Sequence, residues 1–237
     1  MAGADAADFL QRMVSNDVEA LAPGEACPAL LLTAKARVIA PLVVLRRADD
    51  DFLLLTEPGL GEVLRAHLTR MRLRAECEIE PEEHESALVF GGDDGFTTDW
   101  PGAHETLDAG LEPTLSEEEL ELLRIENGVP RWEREIDDRI LPAEAGLDET
   151  HVSFSKGCYP GQEPVARLHF RGHPNRGLRV VELDEEPEFE APLLLEGREV
   201  GRVTSAARRA DGTVVALAYV RTEVPDDAPL ALAARAG

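Results

Sequence analysis

Ser155-Lys156-Gly157-Cys158-Tyr159-Pro160-Gly161-Gln162-Glu163-Pro164 gathers an ammonium, a thiol, a phenol, a carboxamide and a carboxylate into ten residues. Two glycines and two prolines interrupt them, a pattern that excludes a continuous helix or a central strand and reads as a shaped loop. Glycine admits backbone conformations that a β-carbon blocks, and proline removes freedom, so the intervening side chains can be held in fixed directions. A surface turn around one packed, inert cysteine is the competing reading.

Two features of the surrounding chain favour chemistry in this loop. Of 24 basic residues only Lys35 and Lys156 are lysines, so a lysine kept here points to a need for a compact, titratable ammonium. From Pro164 to Val181 there is no Asp or Glu, yet Arg167, Arg171, Arg176, Arg179, His169 and His173 all occur, in a chain of formal charge −23. That island is either an anion site or a solvated basic face paired with acidic neighbours.

With 237 residues and 43% hydrophobic composition the chain can bury a substantial core. The first residues lack a basic start followed by an apolar run, and no stretch approaches the ~20 apolar residues of a membrane span, so a cytoplasmic, membrane-free protein is expected. Three cysteines, Cys27, Cys77 and Cys158, at scattered spacings argue against a disulfide framework and against a paired-cysteine zinc site. The net charge disfavours broad nucleic-acid binding. Strong acidity with almost no lysine also suits a protein that stays soluble in high salt.

In chain order, Asp5 to Val14 reads as a helix with Phe9, Leu10, Met13 and Val14 on one face, closed by Ser15-Asn16-Asp17. Ala29 to Thr33, Val38 to Leu45 and Phe52 to Thr56 read as an antiparallel meander, and Pro58 opens a second helix. Met71 to Glu80 alternates strictly and predicts a half-buried strand with Cys77 in the core. Ser86 to Phe90 is a further strand, followed by a polar, glycine-rich stretch to Gly110 holding Asp93, Asp94 and Asp99. Ser116-Glu117-Glu118-Glu119 is a capping box for a helix burying Leu120 and Leu123 and stopped at Gly128. After the basic island come short strands at Leu178 to Leu183, Leu193 to Leu195, Glu199 to Thr204 and Thr213 to Arg221, with Asp211-Gly212 as a turn.

Lys156-Gly157-Cys158-Tyr159-Pro160-Gly161-Gln162-Glu163 resembles the K-G-C-Y-x-G-Q-E signature of YgfZ-type folate-binding proteins, relatives of the glycine-cleavage T-protein, an aminomethyltransferase. The resemblance extends to Phe9-Leu10-Gln11, Ser15-Asn16-Asp17-Val18, Leu31 to Arg37, Arg124 to Pro130, Pro142-Ala143-Glu144 and Gly201 to Ser205. One departure is Thr33-Ala34-Lys35-Ala36-Arg37, where the family typically has proline and glycine at Ala34 and Ala36. The resemblance implies an α+β fold: a T-protein-like ring of subdomains around a central cavity, ending in a small antiparallel β-barrel. Residues 1–170 would form the folate-binding, aminomethyltransferase-like region, and residues 171–237 the barrel.

It further implies tetrahydrofolate, or a one-carbon derivative, as cofactor and iron–sulfur proteins or their assembly factors as partners, with a possible link to cluster-dependent tRNA modification. Carried over residue by residue, Glu126 and Glu163 become candidate pterin contacts. Cys158 and Lys156 become candidates for the chemical step, and Tyr159 and Gln162 complete the signature. Local chemistry adds Arg167 and its neighbouring arginines for the anionic folate tail, and a Lys156 or Arg167 close to Cys158 would favour its thiolate. No metal ligand set is expected. Two other readings stay open: an aminomethyltransferase that passes a one-carbon unit to tetrahydrofolate, and a thiol hydrolase pairing Cys158 with His151, His169 or His173.

Overall fold

A computed structural model describes residues 1–233 and divides the chain into two compact units, Met1–Glu112 with Leu147–Arg167 and Pro113–Gly146 with Leu168–Gly237. The chain returns to the second unit a few residues before the boundary expected between 170 and 171. The segment Pro113–Gly146 already belongs with the C-terminal strands rather than with the N-terminal region.

The first unit is built on an antiparallel sheet of β1 (Ala26–Leu32), β2 (Val38–Ala48) and β3 (Asp51–Leu55), in that order. Helix α1 (Ala6–Met13) buries Ala6, Phe9, Leu10 and Met13, the residues that its 3.6-residue period places on one face. They pack with Leu31, Val44 and Phe52, and with Leu64 and Leu68 of α2 (Gly61–Met71).

Met71–Glu80 is not a strand. Helix α2 continues through Met71, Leu73 turns left-handed at φ 48° and is 88% exposed, and only Glu78 forms a bridge, exchanging both backbone hydrogen bonds with Ala2. The alternation is nevertheless visible in the packing, where Ala75, Cys77 and Ile79 turn toward the core. What is missing is a neighbouring strand to supply a ladder. The stretch expected to be irregular after Phe90 instead holds two strands. Strands β5 (Phe96–Thr97) and β6 (Ala103–Leu107) join β4 (Ser86–Phe90) in the order β4-β6-β5. Both are short and set among glycines and aspartates, so their signal comes from pairing rather than from composition.

In the second unit the Ser116 capping box is complete, with the Ser116 hydroxyl accepting from the Glu119 N–H and the Glu119 carboxylate accepting from the Ser116 N–H. The helix it opens, α3 (Glu117–Glu126), buries Arg124 and Ile125, while the expected Leu120 and Leu123 are only half-buried. Ile125 packs on Val215 and Leu217 of a five-stranded antiparallel sheet. Its strands are β7 (Arg176–Leu183), β8 (Pro192–Leu195), β9 (Arg198–Arg208), β10 (Val214–Arg221) and β11 (Ala231–Leu232), ordered β11-β8-β9-β10-β7. Among the described residues no pairing joins β11 to β7, so the sheet is open where a barrel was expected.

Arg124 is turned inward because its charge is matched. Its guanidinium donates to Glu135 at 3.0 Å, Glu121 at 2.8 Å, Ser205 at 2.7 Å and the Val129 carbonyl at 2.7 Å. Ser205 in turn donates to the other Glu135 oxygen. This buried network gives Arg124, Val129 and Ser205 of the resembling segments a structural part.

Candidate functional site

The loop lies in the first unit and is fixed at two points. The first is Lys156. Its ammonium donates to the carbonyl oxygens of Gln11 at 2.6 Å, Val14 at 2.7 Å and Asn16 at 2.7 Å, so all three N–H bonds close the C-terminal end of α1. Gln11 lies in the last turn of the helix, Val14 is its C-cap and Asn16 follows two residues on, so the ammonium closes the helix end, where a cation is also favoured by the helix dipole. Burial pulls the Lys156 pKa down to about 8, opposed by Asp17. Lys156, a candidate for the chemical step, is a buried tie between the loop and α1, with all three of its N–H bonds on carbonyls.

The second fixed point is Gly161, at φ +85°, which sits against the Thr33–Arg37 turn between β1 and β2. The departure at Ala36 leaves that turn intact: Ala36 takes φ 58°, its N–H reaches the Thr33 carbonyl at 2.9 Å, and the Thr33 N–H reaches that of Arg37 at 2.9 Å. The chain's other lysine, Lys35, is exposed in this turn. Of the two lysines, one is buried under the loop and the other lies in water on the turn that Gly161 meets.

Between the two anchors Gly157 and Cys158 are exposed. Tyr159 is 7% exposed, its ring lies 5.4 Å from the Lys156 ammonium, and its hydroxyl is buried without a hydrogen-bond partner. Burial pushes the phenol pKa up to about 12, which keeps the hydroxyl protonated. The loop ends earlier than Pro164 suggested. Helix α4 (Gln162–Arg171) starts at Gln162, and proline is tolerated there because the first-turn N–H groups have no helical acceptor. Glu163 and Arg167 are exposed one turn apart on α4.

Other predicted residues are placed elsewhere. Glu126 is in the second unit, and its carboxylate accepts from Arg209 at 2.6 Å. The basic island divides: Arg176 is held by Glu144 at 3.1 Å, and Arg179 by Asp226 at 3.1 Å and the Val224 carbonyl, while Arg167 and Arg171 are exposed. Internal carboxylates satisfy part of the charge that the sequence showed as unpaired. His169 and His173 belong to the second unit, and His151 is 3% exposed, its ring against the Thr150 hydroxyl at 2.8 Å. Burial pulls the His151 pKa down to about 4. An imidazole sealed in this way is a poor base for an exposed thiol, which removes the support for the hydrolase reading that named it.

Residues 1–90 match the GCVT N-terminal domain family. The chain is similar in structure to glycine cleavage system aminomethyltransferase T from Bartonella henselae, with a TM-score of 0.76 at 21% identity over 93% of this chain and 74% of that one. This defines the fold as that of a glycine-cleavage T-protein. Over 117 residues the chain is 37% identical to the tRNA-modifying protein YgfZ of Serratia proteamaculans, covering 46% of this chain and 35% of that protein. Over 236 residues it is 28% identical to the mitochondrial iron-sulfur cluster assembly factor IBA57 homolog of Pyricularia oryzae, covering 86% of this chain and 59% of that protein. Less than two thirds of either relative is thus spanned. Within the T-protein fold, the chain is similar over part of its length to YgfZ and IBA57 proteins. No described helix is long and apolar enough to cross a membrane.

Proposed function

We propose that the chain is a tetrahydrofolate-binding accessory factor that supports the assembly or repair of iron–sulfur clusters in other proteins, with Cys158 as its working thiol. The observation that carries this reading is an exposed sulfur on a loop braced on both sides, by the Lys156 ammonium on three carbonyls and by Gly161 against the Thr33–Arg37 turn. The names of the YgfZ and IBA57 relatives supply the cluster and tRNA-modification context.

The loop fits a folate on one structural ground: the Tyr159 hydroxyl is a buried, protonated donor with no protein acceptor. Glu163 offers a carboxylate for the pterin N–H groups, Gln162 an amide, and Arg167 a guanidinium for a tail carboxylate. Tetrahydrofolate supplies a reduced pteridine able to carry a one-carbon unit. The cluster is cargo: one thiolate cannot hold it alone, so the client or a partner provides the remaining ligands.

Tetrahydrofolate titration followed by fluorescence tests the reading. The parent is expected to bind saturably and Glu163→Ala to bind about tenfold more weakly, as for loss of one charge-assisted hydrogen bond. Cys158→Ala is expected to bind like the parent but fail to restore a cluster-dependent enzyme in cells lacking the factor. No binding by the parent overturns the proposal. One-carbon transfer that survives Cys158→Ala replaces it with the aminomethyltransferase reading.

A further inference from the structure

The second unit contains a cavity lined by Glu144, Asn175, Arg176, Arg221 and Glu223. Arg176 is prepared there as a ligand-binding fork. Its Nε is held by Glu144, whose other oxygen accepts from the Leu141 N–H, so the anchoring carboxylate is itself fixed. Its guanidinium lies 4.9 Å from the ring centre of Tyr219, a side chain 1% exposed whose hydroxyl donates to the Glu135 carbonyl. Anchored at Nε and stacked on a rigid ring, Arg176 leaves both terminal nitrogens without a hydrogen bond among the described residues. Paired terminal N–H groups match a carboxylate or phosphate edge.

Further charges surround the cavity. Arg202 lies 5.6 Å from the same Tyr219 ring and is paired with Glu190. Burial and then the charge of Arg176 pull the Arg202 pKa down, so the two guanidiniums repel each other across a shared phenol. An anion would relieve that repulsion. Arg221 adds a second cation on the lining, while Glu223, 3.5 Å from Arg221, opposes a large polyanion.

We propose that this cavity is a binding site for a small oxyanion, a carboxylate or a phosphate group, seated on the terminal nitrogens of Arg176 with Asn175 and Arg221 beside it. The residues all lie in the second unit, and because the probes are simple anions the result does not depend on whether folate binds.

The test is a titration of the full chain with inorganic phosphate and, separately, with acetate, at ionic strength balanced with sodium chloride. The NMR signal of the Arg176 Nε–H is followed. A saturating shift with phosphate alone identifies a phosphate site, and with acetate alone a carboxylate site; a shift with both supports the shared chemistry. Arg176→Gln also removes the partner of Glu144, so two surface variants carry the test without touching that pair. Arg221→Gln is expected to bind about threefold more weakly and Glu223→Gln about threefold more tightly, the size of a solvent-exposed charge effect. A signal that neither anion moves, or two variants that bind as the parent does, overturns the proposal.

Discussion

A β-carbon added to Gly161 would lie 2.6 Å from the carbonyl oxygen of Thr33 and 3.1 Å from the α-carbon of Ala36. The loop that carries the thiol thus meets the β1–β2 turn backbone to backbone. With φ at +85° as well, Gly161→Ala combines left-handed strain with a clash that no side chain can yield to. A loss of about 2–4 kcal/mol is expected in chemical unfolding, with faster modification of Cys158 as the loop loosens. A variant within about 0.5 kcal/mol of the parent would show that the contact is dispensable.

Lys156→Met keeps the apolar stem and removes the donor from three carbonyls. Leaving these acceptors without a partner is expected to cost about 3 kcal/mol. Lys156→Arg should not rescue the loss, because a planar guanidinium cannot aim three N–H bonds at carbonyls grouped around one nitrogen. Urea unfolding of the two variants checks this, and rescue by arginine would contradict the three-carbonyl geometry.

The three thiols should separate by accessibility. Cys158 is exposed, Cys77 is buried, and burial pushes the Cys27 pKa up to about 12. A neutral maleimide is expected to label one thiol quickly in the folded protein and three after denaturation, with the fast phase absent from Cys158→Ala. Fast labelling of a second site would show that the core around Cys27 or Cys77 opens.

Acid should destabilise the protein through His151. Its folded pKa of about 4 lies below the ordinary 6.5, so between these values the unfolded chain binds a proton that the folded chain does not. Stability from this residue is therefore complete above pH ~6.5 and falls by up to about 3 kcal/mol as the pH approaches 4. Comparing His151→Gln with the parent across that range isolates the contribution. Parallel stability curves would refute it.

Local patterns announced much of this protein. The 3.6-residue period of Phe9, Leu10 and Met13 specifies α1, the Ser116 capping box starts α3, and Gly128 and Gly212 mark a helix stop and a hairpin, because each depends on residues only a few positions apart. The same holds for the glycine- and proline-framed loop around Cys158 and for the resemblance its residues carry. Tertiary structure decided what each charge is for. Whether Lys156 reacts or ties down a helix, and whether Glu126 and Arg176 face a ligand or an internal partner, depends on groups 145, 83 and 32 residues away in sequence. Met71–Glu80 shows the same limit, since alternation describes which side chains are buried but not whether a second strand is present to accept the hydrogen bonds. Electrostatic pairing and strand pairing act through space, and no spacing along the chain encodes them.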